Sequence, residues 1–165
     1  MIEVCPNLHV GSEHNEQSLR GQAGWFFRHA CKEPYHRQAL AHTGRTAAKT
    51  HPEYRIARRN GRLILNLVDI DGPSYISFEI VDAASYAIRD DIEHSKILLH
   101  CNQSQSRSPS IALLYLLKHT DFLSREDIAA AIAAFRAIYS SYTPARGMAE
   151  YVRLNWHRYV QAGSP

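Results

Sequence analysis

The stretch that most restricts the fold is "KILLHCNQSQSRSPSIALLYLLKH", Lys96 to His119. It opens with a branched apolar run of strand length, passes through small polar residues, and continues as a helical segment, Ser108 to His119, that is apolar almost all round. A strand apolar on both faces and a helix without a polar face must each be covered on most sides. Such a unit sits inside a layered structure.

The rest of the chain supplies the layers. "EVCPNLHVG" alternates and ends in Gly, which suggests one or two opening strands. "AGWFFRHA" and "RLILNLVD", Arg62 to Asp69, read as further buried strands. From Phe78 to Ile92 the positions Phe78, Val81, Ser85, Ile88 and Ile92 recur at helical spacing. "SREDIAAAIAAFRAIY" opens with a capping box, Ser124 to Asp127, and places Ile128, Ile132, Phe135 and Ile138 on one face. "GMAEYVRLNWHRYV" does the same with Met148, Tyr151, Val152, Trp156 and Tyr159. Strands alternating with helices give an α/β class: a central, mostly parallel sheet flanked by helices on both faces.

No repeat or low-complexity tract divides the 165 residues, so the chain reads as a single domain, 1–165. Three cysteines are too few for a disulfide framework and point to a reducing compartment. The N-terminus lacks the basic start and apolar run of a secretory leader, and the longest apolar run, Ile111 to Leu117, is far short of a membrane span. The expectation is a cytoplasmic protein with no membrane partner. The formal charge of +3 is unevenly spread: Arg28 to Arg62 holds nine Lys/Arg against two Glu, with four His. A basic segment at about 33–60 is either a solvated loop or a surface that draws in an anion.

Cys101 stands at the carboxyl end of a strand and just before a helix, the address at which open α/β sheets bind ligands. Pro109 suits a first helical turn. The intervening "NQSQS", Asn102, Gln103, Ser104, Gln105 and Ser106, lines up backbone amides at a positive helix end, a nest for a tetrahedral anion. In that field a thiol can fall from about 8.5 into the range ~3.5–7.5 and become a nucleophile at neutral pH. Arg107 offers the planar fork that grips two phosphate oxygens together. Spacing alone is weak: Cys31 and Arg37, in "CKEPYHR", are equally far apart, but Glu33, Pro34 and Tyr35 make a poor anion cradle and no apolar helix follows. Cys31, His36, His42 and His51 match no common zinc spacing, so neither a metal nor another cofactor is expected.

"LLHCNQSQSRSPS" resembles the phosphate loop of the cysteine-dependent protein tyrosine phosphatases, nearest their small dual-specificity branch: His100, Cys101, a five-residue loop, Arg107 and Ser108. The order of strands and helices is similar too, apart from about 33–60, which looks inserted. The chain is too short for the larger phosphatase domain of that superfamily. The resemblance implies Cys101 as nucleophile through a phosphocysteine, Arg107 and the 102–106 amides as phosphate ligands, Ser108 as hydrogen-bond partner of the thiolate, and His100 as support behind the loop. It also implies an aspartate general acid about thirty residues upstream; Asp69 and Asp71 both fit, and Asp69 is preferred because it ends the apolar strand directly. The family's usual glycine is replaced by Ser104, which must carry any left-handed backbone there at about 1–2 kcal/mol.

The function implied is a metal-independent phosphatase acting on phosphotyrosine, and on phosphoserine or phosphothreonine, in a protein or peptide. Alternatives are a phosphate-binding pseudophosphatase, or hydrolysis of a phosphoinositide or RNA 5′-phosphate, which the basic segment keeps open. Arsenate reduction would need resolving cysteines near Cys101, and none is close in sequence. Lys32 to Arg59 is expected to form a wall or lid of the pocket. No nucleic-acid partner is otherwise expected.

Overall fold

The computed structural model describes residues 1–160; residues 161–165, the end of the expected domain, lie outside the described residues. Six strands form one sheet: β1 (Ile2–Cys5), β2 (Leu8–Ser12), β3 (Trp25–His29), β4 (Ile56–Arg59), β5 (Arg62–Leu65) and β6 (Lys96–Cys101), in the order β1-β2-β6-β3-β5-β4. β2, β6, β3 and β5 run parallel, and β1 and β4 are antiparallel edges. The sheet is therefore mostly parallel, as the apolar runs required.

Six helices cover it: α1 (Glu13–Leu19), α2 (Tyr35–Leu40), α3 (Phe78–Asp91), α4 (Arg107–His119), α5 (Ile128–Ile138) and α6 (Arg146–Val160). Successive strand residues face opposite sides. His29 and Arg62 meet Tyr35 of α2 and Glu16 of α1 on one side, while Arg28 donates to the Ala87 carbonyl of α3 on the other. Helices thus flank both faces. β6, central in the sheet, is buried from Ile97 to Cys101, and α4 is buried from Arg107 to Lys118. No helix among the described residues is long and apolar enough to cross a membrane.

Some boundaries differ from the expectation. β5 ends at Leu65; Asn66 still donates its backbone amide to the Arg55 carbonyl, in register with the β4 pairing, and its side-chain amide to the Tyr54 carbonyl. Residues 66–71 then pass over the end of the sheet, where the Leu67 carbonyl accepts from the Lys32 amide and from Arg107. Asp127 caps α5 by itself, accepting from the Ala129 and Ala130 amides at 3.2 and 2.9 Å, so the helix starts at Ile128 and Ser124 lies outside it. Of the proposed α5 face, Phe135 is fully buried while Ile128, Ile132 and Ile138 pack at its margin. The five apolar positions predicted for α6 are all buried.

The largest difference concerns the basic segment. It supplies α2 and the edge strand β4, which returns antiparallel to β5 through the turn at Asn60–Gly61. Arg58 lies opposite Leu63 and Arg59 opposite Arg62, at the start of β5. That is the end of the sheet away from Cys101, because parallel strands share one direction. Arg58 and Arg59 therefore form no lid over the cysteine.

Candidate active site

Cys101 is the last residue of β6, and the chain leaves the sheet there to enter α4 six residues later. The cup between them has a volume of about 440 Å³ and is lined by Asp69, Cys101, Asn102, Gln103, Gln105, Ser106, Arg107, Thr143 and Ala145. No residue of the 33–60 segment is among them, although the Glu33 carbonyl accepts from Asn102 Nδ2 at 3.1 Å. Ser108 lies beneath the cup, its hydroxyl donating to Cys101 Sγ at 3.2 Å.

Arg107 is almost fully buried and reaches three groups. Nη2 donates to Asn102 Oδ1 at 2.7 Å and Nη1 to the Leu67 carbonyl at 3.1 Å. Nε lies 2.9 Å from Asp69 Oδ2, an ion pair whose N–H is not aimed at the oxygen and so makes no aligned hydrogen bond. Asp69 takes a further hydrogen bond from Ser106 Oγ at 2.9 Å, and Ser106 Oγ accepts from the Ala145 amide at 3.0 Å. Asp69 keeps 38% of its side chain open to solvent at the rim. Asp71 is exposed and outside the cup.

The backbone carrying Asp69 is pinned from below. Gly147, at the start of α6, approaches so closely that a Cβ there would lie 1.9 Å from the Ile70 carbonyl oxygen. Only glycine allows α6 to press against the Asp69 segment in this way. The 102–106 loop on the other side of the cup is held by Thr143, whose amide donates to the Gln105 carbonyl at 3.0 Å.

Ser104 has φ +62°, the left-handed backbone that a glycine would adopt without strain. Its strain has a compensating brace. Tyr139 OH donates to the Ser104 carbonyl at 2.9 Å and meets Ser104 Oγ at 2.5 Å. Because the phenol has one proton, the serine hydroxyl is the donor in the second bond. Ser104 is buried against this tyrosine and does not line the cup.

The decoy pair is built differently. Arg37 is held by Glu33 at 2.8 and 3.0 Å on the surface. Cys31 is fully buried, and burial pushes its thiol up to about 12 against the pull of Arg107. No group of three or more metal-ligating side chains occurs among the described residues; His36 and His42 instead meet the Glu53 and Gly44 carbonyls.

Reading the sequence missed Tyr139, Thr143, Ala145 and Gly147. Gly147 had a signal, a glycine on a buried helical face, whereas the other three follow only from the fold. It also treated Ser106 as a backbone donor, although its hydroxyl bridges Asp69 and Ala145.

No family model matches the chain. Solved structures do match along nearly its whole length. Human DUSP28 superposes with a TM-score of 0.64 at 16% identity, covering 98% of this chain and 93% of that one. Human tyrosine phosphatase-like serine/threonine/tyrosine-interacting protein gives 0.62 at 15%, covering 96% of each. DUSP15 gives 0.57 at 15%, covering 100% of this chain and 97% of that one.

Proposed function

With the fold of the dual-specificity phosphatases as premise, we propose that this chain is a cysteine-dependent phosphatase that hydrolyses phosphotyrosine, and phosphoserine or phosphothreonine, in proteins or peptides. The observation that carries the reading is the convergence of Cys101, Arg107, Asp69 and Ser108 on one cup at the carboxyl end of the sheet.

The phosphate enters the nest formed by the 102–106 amides, and two of its oxygens take the guanidinium of Arg107. They displace Asn102 and Asp69 as its partners. Asp69 is thereby released from Arg107 at the rim of the cup, beside the path of the leaving group. Cys101 Sγ attacks phosphorus, forming the S–P bond as the P–O bond to the leaving group breaks. Asp69 gives its proton to the departing oxygen, then takes one from the water that attacks the phosphocysteine. The S–P bond breaks, and the Ser108 hydroxyl stabilises the thiolate that leaves. His100 supports the loop from behind.

The basic segment had kept phosphoinositides and RNA 5′-phosphates open. Arg58 and Arg59, at the far end of the sheet, do not favour a polyanion at Cys101, whereas Lys32, Lys49 and Arg55 line a separate cavity beside Val68 and Ile70. The test is release of phosphate from an aryl phosphate and from phosphotyrosyl and phosphoseryl peptides, with a metal chelator present. Chelator-resistant turnover is expected. Phosphate binding without turnover on any of them would overturn the enzyme reading in favour of a pseudophosphatase.

A further inference from the structure

Behind the nucleophile runs a buried chain of polar groups that the chemistry above does not use. His100 Nε2 lies 2.7 Å from His29 Nδ1, and His29 Nε2 lies 3.0 Å from Arg62 Nε. Arg62 Nη2 donates to Glu16 Oε1 at 2.7 Å. Glu16 also accepts from Tyr35 OH at 3.0 Å and from Arg20 at 2.7 and 3.2 Å. Glu16, His29 and His100 are each 0% exposed. The chain thus crosses the covered face of the sheet from α1 to the residue before Cys101.

Donor counting fixes where its protons sit. Arginine only donates, so His29 Nε2 must be bare. A neutral imidazole carries one proton, and burial keeps both rings neutral: it holds His29 far below the usual histidine range and His100 down at about 4. The His29 proton is therefore on Nδ1 and points at His100 Nε2, which accepts it. That leaves the His100 proton on Nδ1. This atom makes no hydrogen bond among the described residues, and the backbone of Cys101 is the neighbour that favours a proton on the ring.

We propose that Glu16, Arg62 and His29 are positioning residues that hold His100 in its Nδ1–H form and so keep Cys101 reactive at neutral pH. The proposal rests on Cys101 being the nucleophile of the phosphatase reading. A proton on the His100 nitrogen turned away from His29 places the positive end of a dipole beside the next residue, Cys101, and favours a negative sulfur there, whereas a lone pair in its place opposes one. Without the Arg62 donor the pair of imidazoles can reverse, His100 Nε2–H donating to His29 Nδ1, and the dipole turns away. The other charged or titratable groups facing the pair and the sulfur are Tyr35, Cys31, Arg107, Asp69 and Tyr139.

The test uses the full chain with ¹⁵N-labelled histidine. The ¹⁵N shifts of the wild type should show His100 protonated at Nδ1 and bare at Nε2; the opposite pattern overturns the proposal without any variant. Arg62→Met should reverse or mix the two forms. It should also raise the pH midpoint of Cys101 alkylation by iodoacetamide, read on the Cys101 peptide, by about one pH unit. Arg62→Lys, which keeps a donor, should recover part of the shift, and Glu16→Gln should move it less than Arg62→Met. A folded Arg62→Met protein with unchanged shifts and midpoint would reduce the chain to a structural role and sink the idea. Should Arg62→Met not fold, the wild-type shifts and the Arg62→Lys midpoint decide. The tautomer and midpoint do not depend on turnover, so their agreement in a chain that hydrolyses nothing would remove the phosphatase reading and leave this one standing.

Discussion

Cys31 and Cys101 stand at the carboxyl ends of neighbouring parallel strands, β3 and β6, and each precedes an arginine by six residues. One pair surrounds an open cup; in the other the cysteine is sealed and the arginine lies on the surface. After Cys101 the chain is small and polar, turns at Ser104 and delivers its amides to the start of a long helix, which aims Arg107 inward. After Cys31 the chain passes Glu33, which ties Arg37 to the surface, and enters a single short helical stretch. The thiol of Cys31 lies beneath the sheet end with its ionisation suppressed by burial. The same spacing therefore yields a cysteine at the floor of a cup or a core residue according to what the intervening backbone donates.

That contrast can be broken most forcefully at the sulfurs. Cys101→Ser should reduce aryl phosphate hydrolysis to background, by about 10⁴–10⁶-fold, the scale seen when a nucleophile is removed. Cys31→Ser, measured in parallel, should leave kcat unchanged while lowering the thermal midpoint. The aspartates give the next test. Asp69→Ala should lower kcat by about 10²–10⁴-fold and abolish the fall in rate at high pH, as expected for loss of a general acid. Asp71→Ala, outside the cup, should leave both the rate and the profile intact.

Reactivity and stability with pH sharpen the comparison further. At about pH 8, iodoacetamide should label Cys101 in the native protein and spare Cys31, whose thiol is held up near 12. Because folding raises this value, its contribution to stability is complete below the unfolded thiol value of about 8.5 and is lost as pH rises above it. The buried imidazoles act in the opposite direction. His29 and His100 are pushed down on folding, so the unfolded chain binds more protons below about 6.5, and stability falls as pH drops from there. Glu16 continues this trend: burial pushes its carboxyl up, but Arg20, Tyr35 and Arg62 outweigh that and hold it low, so further stability is lost below about 4.3. Melting curves from acid to alkaline pH should therefore show a midpoint that declines on both sides of neutrality.

The smallest effect is expected at Ser104. Ser104→Gly relieves a left-handed serine worth about 1–2 kcal/mol. It also forfeits the side-chain bond to Tyr139, worth about 1 kcal/mol, and adds the freedom of glycine to the unfolded chain. Stability should change by no more than about 1 kcal/mol, with kcat altered only a few-fold. A large gain in kcat would identify Ser104 as the brake that separates this loop from a glycine-containing one.

The fold was legible where burial dictated pattern. β6 and α4 are apolar on nearly every side, so their sequence could describe only the centre of a layered structure. The cup was legible for a related reason, since its cysteine, arginine and loop are contiguous in sequence. Contacts made across the fold left no such trace. β4 is short, basic and half exposed, so its run "IARR" carried charge more visibly than strand pattern, although Asn60–Gly61 is a strong hairpin signal. Arg58 and Arg59 were placed near the pocket on charge alone, and the antiparallel return of β4 put them at the opposite end. Tyr139 and Ala145 reach the loop from beyond α5, a distance in sequence that no local spacing reveals. Arg62, His29 and Glu16 lie on three separate elements, and only the parallel register of β3 with β5 and β6 aligns them behind Cys101.

The most direct measurement is a rapid acid quench during hydrolysis of an aryl phosphate, followed by mass spectrometry of the digested protein. A phosphoryl group on the peptide containing Cys101, formed in a burst and absent from Cys101→Ser, is the result predicted here. Turnover in the wild type with the Cys101 peptide unmodified, or with the phosphoryl group on another residue, would contradict the account at its centre.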